Sequence, residues 1–590
     1  MPEDRDPTSL DRRRLIKILG AGGAVTVSGC LGGENGSGET GDGTGDDGET
    51  DGTTGGDGEE EGGEEEGGEE EEETVSYEWE DATWDSYNFS LYNMNTNIAM
   101  SGNGVRFPHN EQQRTAQQNR MPAMLNAAET DEPPVRNPWL NMAAFTEGDP
   151  SFAQQPDFGG EDGRPDASTM RWNPDGSSQT VSPSSLAWTH LKGVTWAKNF
   201  QAHTDILPEQ MKPLFRAQLL STLAQIGINA SLLQGGPDSN GALTRGGDDS
   251  LRLVSEFTPP PGVYNDDTIY SPPESPGYGD RTTRPHHHAA MLWFLSDVNS
   301  LAQNGWFGYV NPEPLIPAEN IQNITDGMAQ TTMEFFSNPG DVSSQESTRS
   351  VGLMLGAVGY YEPQSSNDDL SSAAAEYANG LAGVIEDNLA GNGMVENGAE
   401  NQAATQGIVG QGLLWASEMD GVDHTGTAED VLGYMMDTLY DEDAGTFASG
   451  EGDSTYTITA RDAGDITGGV NAADEVLGMD GVQETYASFF NNTLRRGELQ
   501  RAERPETRNE DFEYTLPLPP EAGGEFGQAA VYNTEVEYDT GADEWSVTDD
   551  TFTTAQALYL ANQEIWISQW GNEFYEGRGV PGQNDEPPEV

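Results

Sequence analysis

Residues 368–418 read DDLSSAAAEYANGLAGVIEDNLAGNGMVENGAENQAATQGIVGQGLLWASE and decide the predicted fold. Two helical patterns, at 368–389 and 400–418, flank a Gly-rich turn, which is typical of a helical hairpin. Gly407, Gly410 and Gly412 lie inside the second pattern, where each glycine costs about 1 kcal/mol relative to alanine. Glycines at such positions indicate a close approach of helices. This stretch therefore predicts paired antiparallel helices with small residues at their seams.

Similar helical patterns continue on both sides of this stretch. They begin at Ser184, recur at 208–233, and then occupy 286–303, 317–336, 347–361, 427–440, 480–498 and 551–570. A Pro- and Gly-rich passage, 234–285, separates the first two from the rest. Strand signals occur only near 456–459 and in 530–547, where alternation around Gly541-Ala542 predicts a hairpin. The sequence predicts a mainly α fold, a helical-hairpin array with one small β-hairpin and long irregular loops.

One short string carries a resemblance to a known superfamily. Residues 439–447, LYDEDAGTF, follow a helical pattern and resemble the inter-helix turn of (α/α) toroid proteins. The pattern at 551–570 is similar to the later core helices of that superfamily, which includes many glycoside hydrolases, sugar epimerases and polysaccharide lyases. The resemblance spans 366–590 and carries over no catalytic residue. It implies a closed ring of helical hairpins and a carbohydrate-related activity.

The N-terminal residues resemble an export signal. Arg12-Arg13, followed by Lys17 and an apolar stretch to Val27, is similar to a twin-arginine signal, with Asp11 where Ser or Thr is usual. The stretch is shorter than the about 20 apolar residues that span a bilayer. Residues 27–30, VSGC, look like a lipobox around Cys30. The resemblance implies a signal peptide at 1–29 and a lipid anchor on Cys30 at the extracellular face of the membrane; a signal cut elsewhere is the alternative.

The charge of the chain is strongly acidic. Lys and Arg total 27 and Asp and Glu total 101, which gives a net charge of −74. Residues 30–74, almost all Gly, Glu, Asp, Thr and Ser, predict a disordered acidic tether. An acidic, Lys-poor domain resembles proteins adapted to molar salt, which screens such repulsion; an acidic surface for a cationic partner is the alternative. Nucleic-acid binding is not predicted, because beyond the basic residues of the N-terminal signal no cluster of Lys or Arg occurs.

The remaining chain divides into two predicted parts. Residues 75–183 are rich in aromatics and turn formers and predict an irregular segment with short helices near 119–128 and 139–145. Residues 184–590 form the predicted helical-hairpin domain. Five tryptophans lie in helical apolar patterns and are expected in the core: Trp188, Trp196, Trp293, Trp415 and Trp566. Five others lie in less regular stretches and are candidates for an exposed sugar-stacking site: Trp79, Trp84, Trp139, Trp172 and Trp306.

Two groups of residues are candidates for chemistry. Carboxylates suit sugar hydrolysis, in which one acid protonates a leaving oxygen and a second acts as base or nucleophile. Placement near helix ends selects four of them, each of which is alternatively part of a solvated acidic surface: Glu396, Glu400, Asp441 and Asp443. The second group is His286-His287-His288, a candidate metal site. Consecutive helical residues point about 100° apart, so one ion could take at most two of the three. The alternative is a polar start of a helix.

Other motifs add little chemistry. Asn88, Asn323 and Asn491 head glycosylation sequons on a chain expected to be exported. One cysteine leaves no internal disulfide or zinc–thiolate site, and no phosphate loop, dinucleotide fingerprint or nucleophile elbow occurs, so the sequence leaves the identity of any cofactor open.

Three functional hypotheses remain. The first is a non-catalytic surface scaffold or partner-binding module, whose partner would be an extracellular glycan or another surface protein; it predicts a packed ring centre without convergent polar groups. The second is a carbohydrate-active or carbohydrate-binding (α/α) domain that uses carboxylates, with a funnel lined by acids and Trp rings. The third is a His-based metal protein, in which at least three histidines converge.

Overall fold

The computed structural model describes residues 77–99, 103–108, 111–134, 136–154, 166–169, 171–173, 176–202, 212–228, 243–245, 251–258, 277–303, 305, 315–365, 367–396, 398, 400–501 and 531–570. The predicted signal with Arg12 and Arg13, the predicted lipid site Cys30 and the acidic tether lie outside these residues. Most of the 234–285 passage and Trp306 do so as well.

The described residues form fourteen α-helices. These are α1 Trp79–Met94, α2 Glu111–Ala127, α3 Pro183–Ala202, α4 Pro213–Gly227, α5 Pro285–Gln303, α6 Ala318–Phe335, α7 Gly340–Gln345, α8 Thr348–Tyr361, α9 Asp368–Asp387, α10 Gln402–Ala416, α11 Thr425–Tyr434, α12 Ala460–Ala472, α13 Val482–Phe489 and α14 Thr554–Trp570. Wider π-type turns continue α1, α11, α12 and α13 to Ala99, Leu439, Leu477 and Arg496.

Six of these helices form a closed ring. Helix α3 packs on α5, α5 on α8, α8 on α10, α10 on α12, α12 on α14, and α14 packs back on α3. An outer layer covers the ring, with α4 on α3, α6 on α5, α9 on α8, α11 on α10 and α1 on α14; α13 lies between α1 and α12. The architecture is an (α/α) toroid, and the predicted fold class is confirmed.

The six inner helices run in the same direction. At one end, Arg349 in the first turn of α8 pairs with Asp462 in the first turn of α12. At the other end, Trp415 near the end of α10 contacts Trp566 near the end of α14. We call the end where the inner helices begin the mouth and the opposite end the far end. Each loop that leads from an outer helix into the next inner helix therefore lies at the mouth.

Glycines allow the inner helices to approach closely. A Cβ atom on Gly412 would lie 2.3 Å from the carbonyl oxygen of Gly352 in α8, and one on Gly407 would lie 2.3 Å from the carbonyl oxygen of Asp465 in α12. A Cβ on Gly410 would lie 2.4 Å from Leu432 Cγ in α11. The three glycines thus face three different neighbours, and the predicted close contacts of this helix are confirmed.

The described residues also form short β-strands. They are β1 Gly104–Phe107, β2 Leu140–Ala144, β3 Glu147–Gln154, β4 Arg171–Asn173, β5 Leu243–Arg245, β6 Leu251–Leu253, β7 Phe257–Thr258, β8 Gly277–Tyr278, β9 Tyr440–Asp441, β10 Thr446–Phe447, β11 Thr455–Thr459, β12 Glu535–Asp539, β13 Glu544–Asp549 and β14 Phe552–Thr553. Strands β12 and β13 form the predicted hairpin, and β11 pairs antiparallel with β12 to make a three-stranded sheet.

Three expectations about local structure are wrong. Residues 79–94, predicted to be irregular, form a helix of 16 residues that packs on α14, because tertiary burial of its aromatic side chains outweighs weak helix propensity. The helix predicted near 139–145 is strand β2, which pairs with β1. Trp79, Trp84 and Trp172 are buried rather than exposed. The predicted core tryptophans are all buried, as expected.

Among the described residues, no helix combines the length and the apolar character needed to cross a bilayer.

Candidate functional site

Charged side chains from three inner helices meet at the mouth of the ring. His286 lies in the first turn of α5, and Glu346 lies in the short connection before α8. Arg349 lies in the first turn of α8, and Arg461 and Asp465 lie in the first two turns of α12. These five residues, with the side chains that hold them, are called the mouth cluster below.

The exposed part of the mouth cluster is a histidine–glutamate pair. His286 Nδ1 lies 2.6 Å from Glu346 Oε1, and the two side chains are 27% and 21% exposed. Ser350 donates its hydroxyl to Glu346 Oε2 at 2.5 Å. Burial alone would raise the pKa of Glu346, but the hydrogen bonds from His286 and Ser350 and the charge of nearby Arg461 lower it. Glu346 is therefore an ionised carboxylate that accepts the imidazole N–H and orients the ring.

The second part of the mouth cluster is an arginine–aspartate network, in which the aspartates are buried and the two arginines are partly exposed. Arg349 contacts Asp462 Oδ1 and Asp465 Oδ2, each at 2.6 Å, and Arg461 Nε donates to Asp465 Oδ2 at 3.0 Å. Asp465 has no exposed side-chain surface. Burial lowers the pKa of Arg349, but Asp465 and Asp462 outweigh this and raise it overall. Both aspartates are therefore committed to arginines.

A column of polar side chains leads from the mouth cluster into the ring. Tyr559 of α14 donates its hydroxyl to Asp465 Oδ1 at 2.5 Å, and the guanidinium of Arg461 lies 4.4 Å from the centre of the Tyr559 ring. Gln563 Nε2 donates to the Tyr559 hydroxyl at 2.9 Å and reaches Gln411 of α10 at 3.2 Å. Burial and Asp465 raise the pKa of Tyr559 well above its ordinary value. Tyr559 therefore stays protonated and can only donate to this aspartate.

Aromatic rings fill the centre of the toroid below this column. The Trp293 ring lies 4.7 Å from Trp415, 5.3 Å from Trp566 in a stacked arrangement, and 5.6 Å from Trp188. Trp188 also contacts Tyr559 at 4.9 Å, which joins the aromatic centre to the polar column. At the far end, Asp297 accepts hydrogen bonds from Lys198 and, at 2.7 Å, from Tyr360. The mouth cluster thus lies on a closed aromatic floor.

The three consecutive histidines have different hydrogen-bond partners, although the rings of His286 and His287 are in contact with their centres 4.4 Å apart. His286 pairs with Glu346, whereas His287 Nδ1 lies 2.9 Å from the Thr282 hydroxyl. His288 is buried against Phe335 and Phe336, and burial lowers its pKa to about 3. Among the described residues, no group of three or more His, Cys, Asp or Glu side chains is arranged to hold a metal ion.

The four candidate carboxylates lie on loops at the mouth end but outside the mouth cluster. Glu396 and Glu400 are exposed on the connection between α9 and α10, where the carbonyl oxygen of Glu396 accepts a hydrogen bond from Thr348. Asp441 accepts the backbone N–H groups of Asp443 and Ala444 and the hydroxyl of Tyr456, and so fixes a turn. Asp443 is exposed. None of the four makes a hydrogen bond to the mouth cluster in the described residues.

The sequence indicates His286 but does not single out Glu346, Arg349, Arg461 or Asp465. Arg349 carries a usable signal, because it lies at the start of the predicted helix 347–361, where a cation opposes the helix dipole. Arg461 carries none, because the helix that it begins, α12, has no recognisable apolar pattern. Glu346 carries no comparable signal, because acids are common throughout the sequence.

The predicted glycosylation sites differ in accessibility. Asn323 is exposed on α6. Asn88 is half-buried and donates its amide to the carbonyl oxygen of Trp84 at 2.9 Å, while Asn491 accepts from Arg495. Asn323 is the sequon asparagine whose placement best fits modification.

Comparisons with known proteins give a fold-level likeness only. No protein-family model matches the sequence, and no curated protein matches it. Similar solved structures include a D-mannose isomerase, with 10% identity and a TM-score of 0.40, over 66% of this chain and 88% of that chain. The cellobiose 2-epimerase from Bacillus thermoamylovorans B4167 has 9% identity and a TM-score of 0.35, over 65% of this chain and 88% of its own. The helix–helix contacts within this chain, and not these likenesses, define the toroid.

Proposed function

We propose that this chain binds a carbohydrate at the mouth of the toroid and that His286, oriented by Glu346, transfers protons on it. The observation that carries the proposal is the partly exposed His286–Glu346 pair, held at 2.6 Å beside the arginines of the mouth cluster. An imidazole oriented by an ionised carboxylate is a common general acid–base arrangement. The His286–Glu346 pair lies on the closed aromatic floor, and side chains of the mouth cluster can hydrogen-bond hydroxyl groups.

The arrangement favours proton transfer over hydrolysis by two acids. If Nδ1 of His286 donates to Glu346, then Nε2 is the nitrogen that takes or returns a substrate proton. The positive charge of Arg461 would stabilise an oxyanion that forms when a proton next to a carbonyl group is removed. Hydrolysis needs two available carboxyl groups, whereas Asp462 and Asp465 are held by arginines. The supported reaction class is therefore isomerisation or epimerisation of a sugar.

Deuterium exchange tests this proposal. The full chain, purified in molar KCl, is incubated with a panel of reducing mono- and disaccharides in D2O, and NMR follows deuterium at the carbon next to the carbonyl group. We expect exchange with at least one sugar. His286→Asn and Glu346→Gln should each reduce its rate at least about 100-fold, the usual scale of a general acid–base contribution.

A matched control uses another acid at the same end of the ring. Glu400→Gln removes an exposed carboxylate from a mouth-side loop outside the mouth cluster and should leave the exchange rate unchanged. Absence of exchange with every sugar, or equal rates for Glu346→Gln and the parent chain, would overturn the proposal.

A non-catalytic scaffold is the second candidate function. The observation that favours it is the filled centre, in which Trp293, Trp415 and Trp566 leave the toroid closed below the mouth. This candidate predicts that His286→Asn changes neither sugar exchange nor sugar binding, and that the surface of the toroid binds another protein or glycan.

We also propose that the protein is held on the outer face of the membrane through lipid on Cys30. The support is the lipobox-like sequence VSGC at 27–30, which contains the only cysteine in the chain. Cys30→Ser should shift the protein from the membrane fraction to the soluble fraction, and mass spectrometry of the mature N-terminus should find lipid on Cys30 in the parent chain. An unmodified mature N-terminus elsewhere would contradict the anchor.

A further inference from the structure

The mouth cluster offers a ligand several donors, but its acceptors are already in use. Arginine side chains donate and cannot accept, whereas a sugar hydroxyl both accepts hydrogen bonds and donates one. Every carboxylate oxygen of the cluster has a donor within the protein; the donors are His286 and Ser350 to Glu346, Arg349 and Thr459 to Asp462, and Tyr559, Arg349 and Arg461 to Asp465. A sugar hydroxyl at the mouth therefore needs an acceptor from outside these carboxylates.

Gln556, in the first turn of α14, supplies such an acceptor. The side chain is half-buried, and its Oε1 atom is buried without a hydrogen-bond partner among the described residues. Buried polar atoms in folded proteins nearly always have a partner. An amide oxygen left without one at the start of an inner helix is therefore available to a ligand that enters at the mouth.

The helix register places Gln556 beside the mouth cluster. A Cβ atom on Gly464 of α12 would lie 2.7 Å from the Tyr559 ring and 3.2 Å from the Cα of Leu560, so these positions of α12 and α14 are level. The two helices run in the same direction, so Arg461 and Gln556 are level with each other one turn nearer the mouth. Residues three and four apart share a helix face, which puts Gln556 on the face of Tyr559 and Leu560 that borders α12.

Arg461 has donors left for a ligand at this level. Its Nε donates to Asp465 at 3.0 Å, and the side chain is 20% exposed. A guanidinium carries five N–H groups, so the two terminal nitrogens can serve a hydroxyl as well as the oxyanion described above. A hydroxyl between Arg461 and Gln556 would accept from the guanidinium and donate to the amide oxygen. Both hydrogen-bonding requirements of one hydroxyl are then met.

We propose that Gln556, together with Arg461, recognises one hydroxyl group of the sugar and so determines which sugars bind at the mouth. The inference rests on the proposed binding of a carbohydrate there and adds a specificity-determining residue to it. Gln556 takes no part in the proton transfer, because an amide does not titrate near neutral pH. Its loss therefore lowers the affinity for the sugar more than the exchange rate of the bound sugar.

Binding of deoxy sugars tests this assignment. Calorimetry measures the affinity of the full chain, in molar KCl, for glucose, mannose and galactose and for the 3-deoxy, 4-deoxy and 6-deoxy form of each. For a sugar that binds, one deoxy form should bind at least about fivefold more weakly, because it lacks the hydroxyl that Gln556 accepts from. Gln556→Met keeps an unbranched side chain and removes the amide. In this variant the sugar should bind at least about fivefold more weakly, and its advantage over that deoxy form should fall below about twofold.

The melting temperature separates recognition from a structural role. Replacing an acceptor that has no partner removes no hydrogen bond within the protein, so Gln556→Met should melt at the temperature of the parent chain or above it. Gln483→Met, at an exposed position in the first turn of α13, is the matched control and should bind every sugar as the parent chain does. A destabilised Gln556→Met protein that keeps the full preference for the hydroxyl would assign Gln556 to the fold and overturn the inference.

The same titrations distinguish this inference from the proposed function. Sugar binding without deuterium exchange would overturn the proton transfer alone. Exchange in the parent chain, with an undiminished preference for the hydroxyl in Gln556→Met, would overturn the role of Gln556 alone. Absence of binding with every sugar tested would overturn both.

Discussion

At the scale of single residues, the burial of three histidines makes the stability of the fold sensitive to acid. Burial lowers the pKa of His190 to about 4 and that of His288 to about 3, and it lowers the pKa of His287 well below its ordinary value. His190 is also fixed by Met142, whose carbonyl oxygen lies 2.8 Å from Nε2. In the unfolded chain each imidazole would take up a proton near pH 6.5.

The sign of the effect follows from proton binding. Between pH 6.5 and about 4 the unfolded chain binds a proton at residue 190 and the folded chain does not, so stability is lost as the pH falls. His190→Gln should reduce the slope of unfolding free energy against pH by about 1.4 kcal/mol per pH unit in this window. Denaturant unfolding at pH 5, 5.5, 6 and 6.5 in molar KCl measures the slope.

The His190→Gln variant is compared with the parent chain because another buried group changes the unfolding free energy with pH in the opposite direction. Burial raises the pKa of Glu564 to about 8, so this acid makes the folded state less stable as the pH rises. Glu564 contributes to the slope in both the parent chain and the His190→Gln variant, so its contribution largely cancels when the two slopes are compared. Equal slopes for the two proteins would show that His190 titrates normally in the fold.

At the scale of elements, helix α10 packs so closely on α8 and α12 that Gly412 and Gly407 leave no room for a Cβ atom. Gly412→Ala would bring a methyl group to 2.3 Å from the Gly352 carbonyl oxygen, an atom of the α8 backbone that cannot turn aside. We expect a loss of about 1–3 kcal/mol in unfolding free energy, the usual cost of overpacking. Gly383→Ala, at a position in α9 with nothing within 4 Å, should instead add up to about 1 kcal/mol. Thermal and denaturant unfolding measure whether each variant is less or more stable than the parent chain. A Gly412→Ala protein as stable as the parent chain would show that α8 and α10 can move apart.

The helices that the sequence predicts and helix α12, which it does not, differ in the strength of their apolar pattern. The apolar patterns at 286–303, 347–361 and 551–570 match α5, α8 and α14 within a few residues. Helix α12 has only two large apolar residues, Ile466 and Val470, beside the glycines 464, 468 and 469, so neither its pattern nor its propensity indicates a helix. Those glycines are at seams: a Cβ on Gly469 would lie 2.4 Å from the Cα of Gly407. Packing against α10 compensates for the weak propensity, and no local pattern reports it.

The candidate site was less predictable than the fold. His286 stands out as one of three adjacent histidines, which predict either a metal site or a polar start of a helix, and in the structure the three have different hydrogen-bond partners. The partner of His286 comes from a loop 60 positions later, in a chain where acids are everywhere. Pairings over such separations depend on how the ring closes, so sequence spacing alone could not select Glu346.

At the scale of the whole molecule, we expect the charge to make the fold dependent on salt. A net charge of −74 destabilises a compact state through self-repulsion, and molar salt shortens the Debye length to about 3 Å. Lowering KCl from 2 M to 0.1 M should therefore lower the melting temperature of the full chain by about 10 °C or more. Circular dichroism measures the change. A melting temperature independent of salt would show that the acidic residues are compensated locally.

The contact between the two ends of the described chain has a consequence for how the molecule is made. Ser568 near the end of α14 donates to the carbonyl oxygen of Thr83 in α1, 485 positions earlier. Until α14 has left the ribosome, α1 and α3 lack a packing partner and Trp293 lacks the stacked ring of Trp566. The unfinished chain must keep this apolar face from other chains for most of its synthesis, since exposed apolar surface favours aggregation. The ring of described helices can therefore close only after α14 has left the ribosome.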